Sequence, residues 1–170
     1  MTGFEPWGKH KTNPSGELAR EFGGVVLPTE YRESERVLMA AVRERTPRAL
    51  VMLGLAESRK KLSIEMIAVN ADHADARDNA RERRESRPIV RGGVLALATR
   101  LPAPRLLAAL KAARVPVALS YHAGTFCCNH IFYVALARLD LPAGFVHVPP
   151  LRIVPWAAQR RGVKAIMENL

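Results

Sequence analysis

The chain has 170 residues, a formal net charge of +10 at neutral pH, 48% apolar residues and only 6% aromatic ones. That length can bury a substantial core without disulfide staples, and that apolar content suits an aliphatic α/β core and excludes a disordered chain. No apolar run approaches the roughly 20 residues that cross a membrane, and the amino terminus has no charged, apolar and cleavable leader. A soluble, unprocessed single domain spanning residues 1–170 is therefore expected. The only cysteines, Cys127 and Cys128, are adjacent. Adjacency disfavours an intrachain disulfide and offers no metal-site spacing, so a reducing cytoplasm is the natural home. The positive charge raises the question of an acidic partner. Its one dense stretch, Arg77 to Arg91, is interrupted by acids and lacks aromatics, so it reads as a solvated loop and nucleic acid is not the expected partner.

Taken in order, Met1 to Gly8 reads as a loop leaving a first strand; either that strand is absent or the numbered chain starts downstream of the natural one. Asn13-Pro14-Ser15 opens a helix with Leu18, Ala19 and Phe22 on its apolar face, and Gly23-Gly24 ends it. Val25 to Leu27 is a short strand, Glu30 to Arg45 a helix, and Ala49 to Leu55 a buried strand. Leu62 to Asn70 alternates as one extended segment, with Ser63, Glu65 and Ile67 on one face. Residues 71–93 read as a long surface loop, in which Asp72, His73, Asp75 and Asp78 match no metal motif. A helix follows between Pro104 and Arg114, then a strand over Val115 to Leu119, a helix over Asn129 to Arg138, and a strand over Gly144 to Pro150. Trp156 to Leu170 closes the chain as an amphipathic helix. This alternation predicts an α/β three-layer sandwich, a mainly parallel central sheet with helices on both faces.

The chemistry is placed at Ser120 to His130. Gly124 permits a sharp turn, and Cys128 then falls in the first turn of a helix, where free N–H groups and the macrodipole favour thiolate. In sheets of this kind functional groups gather at the carboxyl ends of strands. Cys128, His147 and Glu65 would meet there as nucleophile, base and orienting carboxylate.

Several blocks, in order along almost the whole chain, resemble the pyroglutamyl peptidase I family. They are Thr2-Gly3-Phe4-Glu5-Pro6 with Asn13-Pro14-Ser15, Gly54-Leu55-Ala56 with Arg59, Glu65 with Ala68-Val69-Asn70, and Asp78-Asn79. Ala123-Gly124 through Cys128-Asn129 and Gly144-Phe145-Val146-His147-Val148-Pro149 complete the set. The resemblance implies a cofactor-free, metal-free cysteine exopeptidase that removes amino-terminal pyroglutamyl residues from peptides and forms a homodimer or homotetramer. It implies Cys128 as nucleophile, His147 as general base and acid, and Glu65 as the group holding the imidazole. Phe4, Trp7, Asn13, Leu55, Phe126 and Cys127 become substrate-binding positions, the Leu55 carbonyl accepting the lactam N–H. Asp75 stands where the family carries an arginine near the oxyanion, and Arg77, two residues on, is the expected substitute. Such departures keep open an alternative, a catalytically altered or inactive homologue that acts as a binding protein or on another small amide.

Overall fold

The computed structural model describes residues 1–170. In chain order the elements are β1 (Thr2–Phe4), α1 (Pro14–Glu21), β2 (Val25–Leu27), α2 (Tyr31–Arg45), β3 (Leu50–Leu55), β4 (Leu62–Glu65) and β5 (Ile67–Val69). They continue with β6 (Ala96–Ala98), α3 (Ala103–Ala112), β7 (Val117–Ser120), α4 (Cys127–Arg138), β8 (Ala143–Val148) and α5 (Trp156–Met167). The central sheet has the order β2-β1-β3-β8-β4-β7. β2, β1, β3 and β8 run parallel; β4 and β7 run parallel to each other, and β4 is antiparallel to β8. The sheet is mainly parallel with helices on both faces, as expected.

Alternation along the strands divides the core in two. Leu50, Met52 and Phe145 join Ile131 and Phe132 of α4 and Leu38 of α2 on one face. Val51, Leu53, Leu62, Ile64 and Val146 join Leu18 of α1, Leu106 and Leu110 of α3, and Val163 of α5 on the other. Successive side chains of a strand point to opposite faces, so the aliphatic runs fill both layers.

Three readings of the sequence are corrected. The amino-terminal segment is itself a strand, since Thr2–Phe4 pairs with β2 on one side and β3 on the other. Leu62 to Asn70 is not one strand: the chain leaves the main sheet at Met66, and Ile67–Val69 pairs with β6 in a separate two-stranded ribbon. That ribbon partner, β6, had no signal in the sequence. Residues 71–93 are not merely solvated, because Asp72, Asp78 and Arg84 are buried. Arg84 Nη1 donates to Asp72 Oδ2 at 2.6 Å and its Nε to Glu82 Oε1 at 2.8 Å, while its guanidinium lies 4.0 Å from the Tyr31 ring centroid. A charge this deep survives only when paired, and the Tyr31 ring of α2 and His130 of α4, whose Nδ1 lies 3.0 Å from Asp72 Oδ2, tie the pair to both helices. Asp72, His73, Asp75 and Asp78 do not assemble with other residues into a metal-ligand cluster.

Candidate active site

Main-chain pairing sets half of the site. In the antiparallel β4–β8 ladder Glu65 lies opposite Phe145 and Ser63 opposite His147, so Glu65 and His147 are diagonal neighbours on one face. His147 Nδ1 lies 2.8 Å from Glu65 Oε1. A carboxylate at Nδ1 selects the tautomer protonated there and leaves the Nε2 lone pair free as a base. Glu65 is fully buried and His147 is 5% exposed, and the imidazole packs on Phe145 with ring centroids 4.8 Å apart.

The other half comes from the turn before α4. Gly124 takes a φ of +83°, a conformation that side chains other than hydrogen resist, and the chain then enters α4 with Phe126 as its N-cap. Cys127 and Cys128 fill the first two helical positions, where N–H groups have no intrahelical acceptor. On β3, Gly54 pairs with His147 in parallel register. A Cβ built on Gly54 would lie 2.7 Å from Cys128 Sγ, so the missing side chain provides the space over the sheet that the sulfur occupies.

Cys128 and His147 open into one cavity of about 420 Å³. All six positions expected to bind substrate line it: Phe4, Trp7, Asn13, Leu55, Phe126 and Cys127. Trp7 and Tyr31 buttress Phe126 at centroid distances of 5.4 and 5.5 Å. Asn13 is occupied structurally as well: its Oδ1 accepts from the Ser15 N–H at 3.1 Å, capping α1, and its Nδ2 donates to the Glu5 carbonyl at 3.0 Å. Glu57 and Asp75 also line the cavity, whereas Arg77 does not. The expectation for Arg77 therefore needs correction. Arg77 is exposed, and its Nη1 donates to the Arg81 carbonyl at 2.9 Å, which turns the guanidinium into its own loop.

The resting thiol also departs from expectation. Burial pushes the Cys128 thiol up to about 12, and the Glu65 carboxylate adds to the rise. The Cys127 thiol is driven up by burial as well. Desolvation beside Phe145 and the sheet thus works against the helix N-terminus, favouring the thiol where the dipole favours thiolate.

Arg59 is the residue whose part was missed. Its Nη2 donates to Glu65 Oε1 at 3.2 Å, to Ser120 Oγ at 2.7 Å and to the His122 carbonyl at 2.8 Å. It thereby supplies the positive charge that a fully buried carboxylate requires. The available signals were its place in a family block and its position six residues before a lone carboxylate in an apolar strand.

The family model described as pyroglutamyl peptidase matches residues 1–166. The pyrrolidone-carboxylate peptidase of Klebsiella pneumoniae (strain 342) is 35% identical, over 88% of this chain and 76% of that protein. The crystal structure of pyrrolidone carboxyl peptidase from Thermus thermophilus superposes with a TM-score of 0.92 at 36% identity, covering 99% of this chain and 98% of that one. Pyroglutamyl peptidase I from Bacillus amyloliquefaciens gives a TM-score of 0.93 at 28% identity, covering 99% and 91%. Likeness over nearly the full length in both sequence and fold, around a cysteine-histidine cavity, places this chain in the pyroglutamyl peptidase family of cysteine peptidases.

Proposed function

We propose that residues 1–170 act as one domain that hydrolyses the amide after an amino-terminal pyroglutamyl residue through a thioester, with Cys128 as nucleophile, His147 as base and acid, and Glu65 as the anchor of the imidazole. The observation that carries this reading is a sulfur seated over Gly54, the strand partner of His147, with that imidazole tied to a buried carboxylate and both residues lining one cavity. Since burial favours the thiol, the first step is general-base catalysis. His147 Nε2 takes the thiol proton as sulfur attacks the carbonyl, and the backbone N–H of Cys128 at the helix N-terminus receives the oxyanion. The imidazolium then protonates the leaving amine as the C–N bond breaks. Water adds to the thioester, giving its proton to Nε2; the C–S bond breaks and the thiol is re-formed with pyroglutamate released. The aromatic walls suit a flat, neutral lactam, and the Leu55 carbonyl is the acceptor for its N–H.

Free cysteines support a reducing, cytoplasmic setting, and no helix is long and apolar enough to cross a membrane. Exposed Val94 and Leu95 offer apolar surface for the homodimer or homotetramer that the family resemblance implies. The test is hydrolysis of a pyroglutamyl aminocoumarin amide beside the prolyl amide. Cys128→Ala is expected to lower turnover by roughly 10⁴-fold or more, with Cys127→Ser reducing it far less. Undiminished turnover by Cys128→Ala would overturn the reading. Asp75 on the cavity wall, in place of an arginine, favours a second reading as an altered homologue, which binding of a pyroglutamyl peptide without turnover would select.

A further inference from the structure

A second open cleft, of about 450 Å³, shares Ala56, Ser58, Ala123 and His147 with the first cavity and adds Arg59, His122 and Gly124. His147 therefore borders both. Their charges differ: the first is lined by the carboxylates of Glu57 and Asp75 and by no lysine or arginine, the second by Arg59 and no carboxylate.

Two groups in the second cleft hold unused donors. All three side-chain hydrogen bonds of Arg59 go through Nη2, which leaves Nε and Nη1 without a protein acceptor although the side chain is only 33% exposed. His122 Nδ1 accepts the Gly124 N–H at 2.8 Å, which places the ring proton of the neutral imidazole on Nε2. An arginine edge of this kind matches a carboxylate by paired, charge-assisted hydrogen bonds.

The proposed reaction says where a ligand for these donors would come from. With the lactam in the first cavity and the leaving amine protonated by His147, the residue after the scissile amide has to pass along the other side of that imidazole. We infer that the second cleft receives this leaving residue, and that Arg59, assisted by His122, selects leaving residues that carry a carboxylate. The carboxylate is either the free α-carboxylate of a pyroglutamyl dipeptide or the side chain of an acidic residue. The inference rests on the peptidase reading above, and the substrates below separate the two.

Matched pairs distinguish the two sources: pyroglutamyl-alanine against its carboxamide for the α-carboxylate, and pyroglutamyl-glutamyl amide against pyroglutamyl-glutaminyl amide for the side chain. The carboxylate member of at least one pair is expected to show about tenfold higher kcat/KM. In Arg59→Lys turnover falls on every substrate, because Glu65 loses its partner geometry, but the ratio within the pair should collapse towards one. His122→Ala, which keeps the backbone carbonyl bonded to Arg59, should reduce the ratio by a few-fold; it is the second variant should Arg59→Lys not fold. Ratios near or below one for both pairs in the unaltered protein overturn the inference. The aminocoumarin amide carries no carboxylate: if it is cleaved without discrimination within the pairs, the inference alone fails, and if no pyroglutamyl substrate is cleaved, the peptidase reading fails with it.

Discussion

Gly54→Ala adds a single methyl group and tests how the sulfur is positioned. The new Cβ would sit 2.7 Å from Cys128 Sγ and 2.7 Å from Phe145 Cζ. Ordinary non-bonded contacts lie at about 3.5–4.0 Å, so one or both partners must retreat by about 1 Å. Neither retreat is harmless. Moving Cys128 shifts the nucleophile directly, and moving Phe145 pushes the ring whose centroid is 4.8 Å from that of His147. A misplacement of this size costs on the order of 100-fold in rate, and overpacking of the strand costs about 1–3 kcal/mol of stability. Because Gly54 is not among the residues lining the lactam cavity, KM should change far less than kcat. Steady-state kinetics with a pyroglutamyl aminocoumarin amide and urea unfolding measure the two quantities. A variant with kcat within about threefold of the parent would refute the argument that Gly54 makes room for the sulfur.

Glu65→Gln keeps the shape but not the charge that orients His147 Nδ1, and kcat should drop by roughly 10²–10⁴-fold; parental turnover would remove Glu65 from the mechanism. Arg84→Ala removes one of the two buried partners of Asp72, leaving His130 Nδ1 at 3.0 Å, and should cost about 3 kcal/mol in urea unfolding, with a loss under about 1 kcal/mol contradicting the proposed clamp. The Cys128 thiol, raised from 9.0 to about 12, makes stability pH-dependent. The folded state holds this proton more tightly than the unfolded chain, so its contribution is fully present below pH 9.0 and is lost as pH rises to about 12. Cys128→Ala should flatten that part of the stability curve; an unchanged slope would deny the shift. For the same reason iodoacetamide should alkylate Cys128 at a rate still climbing above pH 9.0, whereas a plateau beginning near neutrality would indicate a preformed thiolate.

The sheet was legible because its strands are aliphatic runs buried on both sides, such as Leu50–Leu55, and its helices carry one apolar stripe. The site was legible through side-chain type and the family blocks: Cys128, His147 and all six lining positions meet at one cavity. What escaped had little or no periodic signal. Three-residue strands such as Thr2–Phe4 and Ala96–Ala98 are too short to show alternation, and alternation carries no information on strand direction, so the reversal of β4 against β8 was hidden. Composition misled over residues 71–93, where a polar stretch suggests solvent although Arg84 and Asp72 neutralise each other inside. Arg77 was assigned by a local triplet, yet its loop aims the side chain at Arg81. The raised thiol followed from the surroundings of Cys128, which only the fold assembles.

Glu65 and His147 sit on adjacent strands in a fixed register, while Cys128 rides on a helix attached through the turn at Gly124. The carboxylate and imidazole are thus bolted to a common frame and travel together. The sulfur reaches that frame from a separate element, so its distance from the imidazole is set by how α4 packs on the sheet, where Ile131 and Phe132 meet Met52 and Phe145.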